Sequence, residues 1–537
     1  LESATRIEAG FVMLEAMYRA GHYEPNSAAF NALIDYIDAL VAEAPDHPRA
    51  PEALYWKAKL YEWEGVPYAA SEVYDYLIAR YSNAPRLDIV LLDAAKLANA
   101  QRDPVKATEY ARRLMQQFPS SPLLDEARLE LGDAYAQAGM NDDARALYLR
   151  VANAQANTSV GADAYLRLGR LAFDQHRDEE AIHYLETRLD TATTTQGNDE
   201  VYLKLAQSYR RAGKLEQARD TLNDLIAFFP ENRTVMLPAF IELSQVLDEM
   251  GQRDKAVLIA KEAARRYPDS PEAQRNQGDL LGLAGNAFGA AAALVAADEE
   301  GAHDPSLLLR AARYYRTAGM VEEARRTYTE LNEKYPGTSQ ALTGGIEQAK
   351  LIYHLGEVNT AVAQLEELAV ATQNSPQRLP TLLAMSEIYS DLGLDERVAE
   401  LAASISKLTA DPQSLVDAAY DIARTGNIDA AKTLYEKAER PKVTPESAYK
   451  LRMALGKGLL KLEPHAGLDM LEQAWLAHPE QRNLDDGQIL LESYLAADRP
   501  AAARAMVMEL DAHVRQNSVD APYLIDAAVA WGNYLYE

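Results

Sequence analysis

The chain has 537 residues, 81 of them acidic against 54 basic, for a formal charge of −27. That field opposes nucleic acid and anionic membrane surfaces as general partners, because phosphate neutralisation drives such binding. Cysteine is absent, which excludes disulfides, thiolate metal sites and thiol catalysis. An apolar content of 48% marks a folded chain.

The opening segment reads as two helices, over Ile7–Arg19 and Ser27–Ala44, joined by residues 20–26. Residues 1–50 are expected to form a degenerate repeat or an N-terminal cap. From 51 to 517 one frame recurs about thirteen times. It runs Leu131-Gly132-x-x-Tyr135-x3-Gly139-x4-Ala144-x3-Tyr148-x2-Val151 and returns as Leu205-Ala206-x-x-Tyr209-x3-Gly213-x4-Ala218-x3-Leu222-x2-Leu225. Ala311, Ala312, Tyr315, Gly319, Ala324, Tyr328 and Leu331 repeat it once more. Steps between turn positions range from 33 to 38 residues, with Arg102 and His176 standing in two of the glycine slots. Such a period marks a solenoid whose units each bury a face against their neighbours.

In the fifth repeat, helix A is expected near Glu200–Ala212 and helix B near Leu215–Phe228. Ala206 and Ala218 are small because the two helices cross there, and Tyr209 and Leu222 fill the space left over. Gly213 supplies the left-handed backbone of the reversal, and Pro230 closes helix B. Longer polar joints are expected at Asn153–Gly161, Thr191–Asp199, Asp298–Pro305 and Thr372–Pro380. No segment alternates in the manner of a strand.

The longest apolar run, Ala287–Ala297, falls short of the ~18 residues a membrane span needs and is assigned to helix B of repeat 7. The run Gly278, Gly282, Gly285 and Gly289 is read as packing, because two of the four fall on the small and turn positions of that repeat. Residues 518–537 are predicted to form a terminal helix, with Tyr523, Leu524, Ile525 and Trp531 on its apolar side. It reads as helix A of a further repeat, so the natural chain is expected to continue beyond Glu537. A start at Leu1 without Met is expected of a processed or cut chain.

The frame resembles the tetratricopeptide repeat: a small residue after a large apolar one, an aromatic three later, a turn, then Ala, an aromatic and a closing Pro. The resemblance implies an all-α fold, a right-handed superhelical solenoid of about 13 helix-turn-helix repeats. The chain departs from the family pattern in lacking the first-helix Trp in almost every repeat and in its usually longer step. Repeats 12 and 13 place Leu462 and Asp498 where the turn glycine belongs. The junctions Phe118-Pro119-Ser120-Ser121-Pro122 and Tyr267-Pro268-Asp269-Ser270-Pro271 resemble those of bacterial cell-envelope scaffolds.

No HExxH, EF-hand, phosphate-loop or G-x-S-x-G pattern occurs, and the nine histidines are scattered, so no catalytic residue, cofactor or metal site is assigned. The family resemblance implies a concave groove lined by helix A. Its ninth positions read Lys59, Lys96, Asp133, Arg170, Gln207, Gln245, Asp279, Arg313, Lys350 and Glu387, half of them basic in an acidic protein. Two clusters emerge: Arg170 with Arg210 and Arg211, and Arg313, Arg316 and Lys350 with Tyr353 and His354. One reading gives these clusters an anionic groove ligand, either an acidic peptide or an anionic polysaccharide, since guanidinium suits carboxylate and tyrosine adds a flat contact. The other pairs them with Glu and Asp of adjacent helices. The carboxylate clamp that some members use on chaperone tails is not evident.

These features lead to an expected non-catalytic scaffold holding protein partners, placed in a bacterial envelope assembly. A periplasmic portion of a polysaccharide-export protein and a regulatory arm of an enzyme are the alternatives. The expected compartment is the periplasm, with the cytoplasm as alternative.

Overall fold

The computed structural model describes residues 2–20, 27–191, 197–409, 411–438 and 443–517. Among these, 28 α-helices and no strands occur, so the fold is all-α, as expected. The helices divide between two compact units, Leu1–Pro268 and Asp269–Glu537.

The first unit begins with α1 (Glu2–Ala20) and α2 (Ala28–Glu43). Five A–B pairs follow: α3 (Ala50–Glu64) with α4 (Pro67–Arg80), α5 (Leu87–Ala100) with α6 (Pro104–Gln117), α7 (Leu124–Gln137) with α8 (Asn141–Ala154), α9 (Ser159–Asp174) with α10 (Asp178–Thr191), and α11 (Asn198–Arg211) with α12 (Leu215–Phe228). The pair α13 (Arg233–Glu249) and α14 (Arg253–Arg266) completes the unit. Helix B of repeat 5 falls where the pattern placed it, and helix A starts two residues earlier.

The second unit contains α15 (Pro271–Leu283) with α16 (Ala287–Ala297), α17 (Pro305–Thr317) with α18 (Val321–Lys334), α19 (Ser339–His354) with α20 (Val358–Ala371), and α21 (Arg378–Asp391) with α22 (Asp395–Leu408). It ends with α23 (Pro412–Arg424) and α24 (Ile428–Lys437), α25 (Pro445–Leu460) and α26 (Pro464–Ala477), and α27 (Leu484–Ala496) and α28 (Pro500–Asn517). The expected terminal helix over 518–537 lies outside the described residues, as do residues 21–26 and most of the joint after Thr191.

The small residue of each repeat is demanded by contact. A Cβ on Gly132 would lie 2.4 Å from the ring of Tyr148, and one on Gly169 2.5 Å from Leu185. Tyr148 and Tyr328, the aromatic residues of helix B, are 2% and 0% exposed. Gly278 and Gly282 meet Leu294 and Tyr314 in the same way, so these two of the glycine run are packing positions, while Gly285 is a turn with φ 78°. At the turn the demand is conformational. Gly213 has φ 74°, and its N–H and that of Lys214 donate to the carbonyls of Arg210 and Tyr209 at 2.9 and 2.8 Å. Arg102, His176 and Asp498 adopt the same left-handed backbone, with φ of 58°, 56° and 55°. The fold thus imposes the left-handed turn at these three positions without glycine, whereas Leu462 does not adopt it.

The joint expected at Asp298–Pro305 is not an open loop. Residues Asp298–Ala302 form a π-type turn with Gly301 at φ 98°. Asp298 is fully buried and accepts from the Lys334 ammonium and the Tyr335 hydroxyl of the next helix B.

Candidate partner-binding face

Small residues at the A–B crossing leave the opposite face of each helix A free of core packing. On that face, charged side chains from successive repeats meet at varying separations along the chain. In the first unit Lys59 on α3 lies 3.4 Å from Asp93 on α5, and Lys96 on α5 lies 2.9 Å from Glu126 on α7. Asp133 on α7 takes Arg167 on α9 at 2.9 Å. Arg170 on α9 grips Glu200 on α11 with Nε at 2.8 Å and with Nη2, and Arg210 on α11 meets Glu242 on α13 at 3.1 Å. In the second unit Arg310 on α17 pairs with Asp279 on α15. Arg313 on α17 binds Glu347 on α19 through Nε at 3.0 and 3.1 Å and Nη2 at 2.5 Å. Lys350 on α19 reaches Glu387 on α21 at 2.5 Å, and Lys457 on α25 reaches Asp486 on α27 at 2.7 Å. An exposed pair contributes about 0–1 kcal/mol, and the bidentate guanidinium pairs add fixed geometry. Together the pairs tie α3 through α13 in the first unit, and α15 through α21 and α25 to α27 in the second.

Helix B supplies a second lock. The Tyr148 hydroxyl donates to Asp133 at 2.6 Å and the Tyr328 hydroxyl to Glu347 at 2.8 Å. Burial alone would raise the Glu347 carboxyl, but the hydrogen bonds from Arg313 and Tyr328 and the charge of Arg316 bring it below the ordinary glutamate range. Glu242 and Glu130 go the other way: burial raises both, against the opposing charges of Arg210 and Arg167 respectively. Glu130 and Asp133 share Arg167, at 3.3 and 2.9 Å, and Asn99 donates to Glu130 at 2.9 Å. This close acid pair is therefore part of the packing between repeats.

Each basic residue singled out from the sequence sits beside an acid of an adjacent repeat, and they separate into two kinds. Arg210 is saturated by Glu242, Gln245 and Glu249. Arg211 is equally committed. Its Nη2 donates to the carbonyl of Phe173 at 3.0 Å and pairs with Asp178 at 2.7 Å, Nη1 lies 3.2 Å from His176 Nδ1, and the guanidinium stacks 3.8 Å from the Phe173 ring centre. These two are only 26% and 27% exposed. Arg170, Arg313, Arg316 and Lys350 are 42%, 45%, 46% and 39% exposed. Each keeps N–H donors that its internal partner does not occupy, and Arg316 stands 3.6 Å from Glu347. The Tyr353 hydroxyl gives its one donor to Asp391 at 3.3 Å, beside His354.

One concavity on this face escaped the sequence reading. A cavity of about 580 Å3 is lined by Arg424, Lys450, Lys457 and Lys461 with Tyr420 and Met453 among its walls. The ninth-position series, continued past Glu387, reaches Tyr420 and Lys457 and would have pointed to it. Among the described residues, no group of three or more His, Asp or Glu is placed to hold a metal ion, and no helix is long and apolar enough to cross a membrane.

Comparisons with known proteins bear on the repeat itself. Residues 68–201 match a tetratricopeptide repeat-like domain, 200–232 and 306–338 match the tetratricopeptide repeat, and 241–305 match a further model of that repeat. The chain is similar to the protein kinesin light chain-related 3 of Arabidopsis thaliana, at 27% identity over 125 residues, and that match spans 21% of this chain and 18% of the relative. Among solved structures, the Cut9–Hcn1 hetero-tetramer of the APC/C is 16% identical over 94% of this chain and 93% of its own, with a TM-score of 0.34. The type IV pilus biogenesis factor PilW is 17% identical over 45% of this chain and 98% of its own, with a TM-score of 0.35. Repeats of this type support a protein–protein interaction scaffold and are generally non-catalytic. With the recurring frame, the helix pairs and the matching family models together, this chain is a tetratricopeptide repeat protein.

Proposed function

We propose that the chain is a non-catalytic scaffold of a bacterial envelope assembly, acting in the periplasm and holding protein partners along the helix-A faces of its repeats. The observation that carries this reading is the presence of pre-positioned cations in each unit. Arg170, Arg313, Arg316 and Lys350 are each fixed by an internal carboxylate and still present outward donors. A side chain already held in place loses little freedom when a partner's carboxylate arrives, which lowers the entropic cost of docking. Tyr353 adds a flat contact beside Lys350. Arg210 and Arg211 serve the fold on this reading. The envelope placement draws on the absent cysteines and on the junction sequences around Pro119 and Pro268.

The test is proximity labelling from the full chain in a bacterial host, combined with fractionation. Labelled envelope proteins in the periplasmic fraction support the assignment. Labelling confined to cytoplasmic proteins overturns the compartment, and labelling of polysaccharide-synthesis enzymes alone moves the chain to the export reading.

A further inference from the structure

Along the helix-A faces, ion pairs join neighbouring repeats from α3 to α13, from α15 to α21, and again between α25 and α27, and among the described residues none joins α23 to α25. The ninth position of α23 is Tyr420, so no pair forms there. The space is a concavity of about 580 Å3, open to solvent on one side. Lys457 is committed to Asp486 at 2.7 Å, which also accepts from Tyr449 at 2.9 Å, and Lys450 is committed to Glu446 at 2.6 Å. Arg424 and Lys461 are different. Both are exposed and line the cavity, and among the described residues neither has a carboxylate within ion-pair distance.

A cation in the last turn of a helix is favoured by the dipole, which accounts for basic residues at the ends of α23 and α25. It does not account for their lining one cavity, nor for Lys461 standing one turn from Lys457, a like-charge spacing that disfavours a helix. We propose that this cavity is the docking site for an acidic segment of a partner polypeptide, whose carboxylates are taken by Arg424 and Lys461. The proposal rests on the scaffold reading and names the chemistry of one partner. Tyr420, over whose ring Arg424 lies at 5.8 Å, and the buried Met453 offer apolar wall to the side chains between the carboxylates. Gln481, also in the lining, brings an amide with both a donor and an acceptor, which is what a peptide bond requires. With −27 charges on the chain, an acidic segment is repelled from most of the surface and focused here.

The experiment uses the full chain and a fluorescein-labelled octapeptide of alternating glutamate and alanine, followed by anisotropy at low and moderate salt. The expected result is binding that weakens with salt and falls at least tenfold in the Arg424→Gln, Lys461→Gln variant with unchanged circular dichroism. A charge-matched Lys255→Gln, Arg265→Gln variant, altered on α14 of the first unit, keeps the wild-type affinity. Absence of binding to the wild type, equal binding by the cavity variant, or displacement of the peptide by a polyglucuronate oligosaccharide at equal or lower concentration overturns the proposal. If the peptide fails while the full chain still captures its partners, the docking assignment falls and the scaffold reading stands.

Discussion

Arg313 closes on Glu347 with two of its nitrogens, at 3.0 Å from Nε and 2.5 Å from Nη2, while nearly half of its side chain stays in solvent. The pair joins α17 to α19, so one residue both fixes the spacing of two repeats and faces outward. Its partner carboxyl titrates below the ordinary glutamate range. A depressed carboxyl contributes stability above its unfolded pKa and loses it as pH falls through the folded value. Thermal melts of the wild type and Glu347→Gln should therefore differ most near neutral pH. The gap should close as pH drops below about 4, the ordinary glutamate range. A gap independent of pH would show that Glu347 acts through packing alone.

Arg167 carries the opposite sign. It is the cation beside Glu130, which is 5% exposed and whose carboxyl burial already raises. Arg167→Met leaves that carboxylate buried with only Asn99 as donor, and should cost roughly 3 kcal/mol, as removal of one partner of a buried pair does. With a raised folded pKa the carboxyl takes up a proton as pH falls, so the deficit should shrink on acidification. Urea titrations of wild type and variant at pH 7 and pH 5 check both the size and the direction.

The small and turn positions give a third contrast. Gly132→Ala drives a methyl into the Tyr148 ring and should lower stability by about 1–3 kcal/mol, the usual range for overpacking. Gly139→Ala meets no atom but keeps a φ of 78°, so its cost should be nearer 1 kcal/mol. Arg102→Gly reverses the argument. It relieves a left-handed non-glycine residue and should raise stability by roughly 0.5 kcal/mol, the relief of strain exceeding the added freedom of the unfolded chain. Denaturant midpoints of the three variants rank them.

The frame was legible because it is local: Gly132, Tyr148 and Gly139 lie within one repeat, at fixed spacing, and each is required by a contact or a backbone angle. The pairing of the basic residues was not. Glu200 stands 30 residues from Arg170 and Lys350 stands 37 from Glu387, and that variable separation is invisible to a frame counted repeat by repeat. A list of cations alone cannot tell Arg211, folded back on Phe173 and His176, from Arg313, which faces out. The cavity at Arg424 and Lys461 was missed for a related reason. Its cations, Arg424 and Lys461, stand four residues after the ninth-position residues Tyr420 and Lys457, outside the series that the ninth positions form. The joint at Asp298 looked like a loop because polar residues there conceal a buried carboxylate with partners 36 and 37 residues away.

The most direct test of the scaffold account is affinity capture from envelope and cytosolic extracts with the full chain. The wild type is compared with an Arg170→Glu, Arg313→Glu, Arg316→Glu, Lys350→Glu variant whose helicity is checked by circular dichroism. The account predicts a defined set of envelope proteins retained by the wild type and lost by the variant with helicity intact. Capture of the same proteins in the same amounts by both would contradict it, and would assign these residues to holding the repeats together.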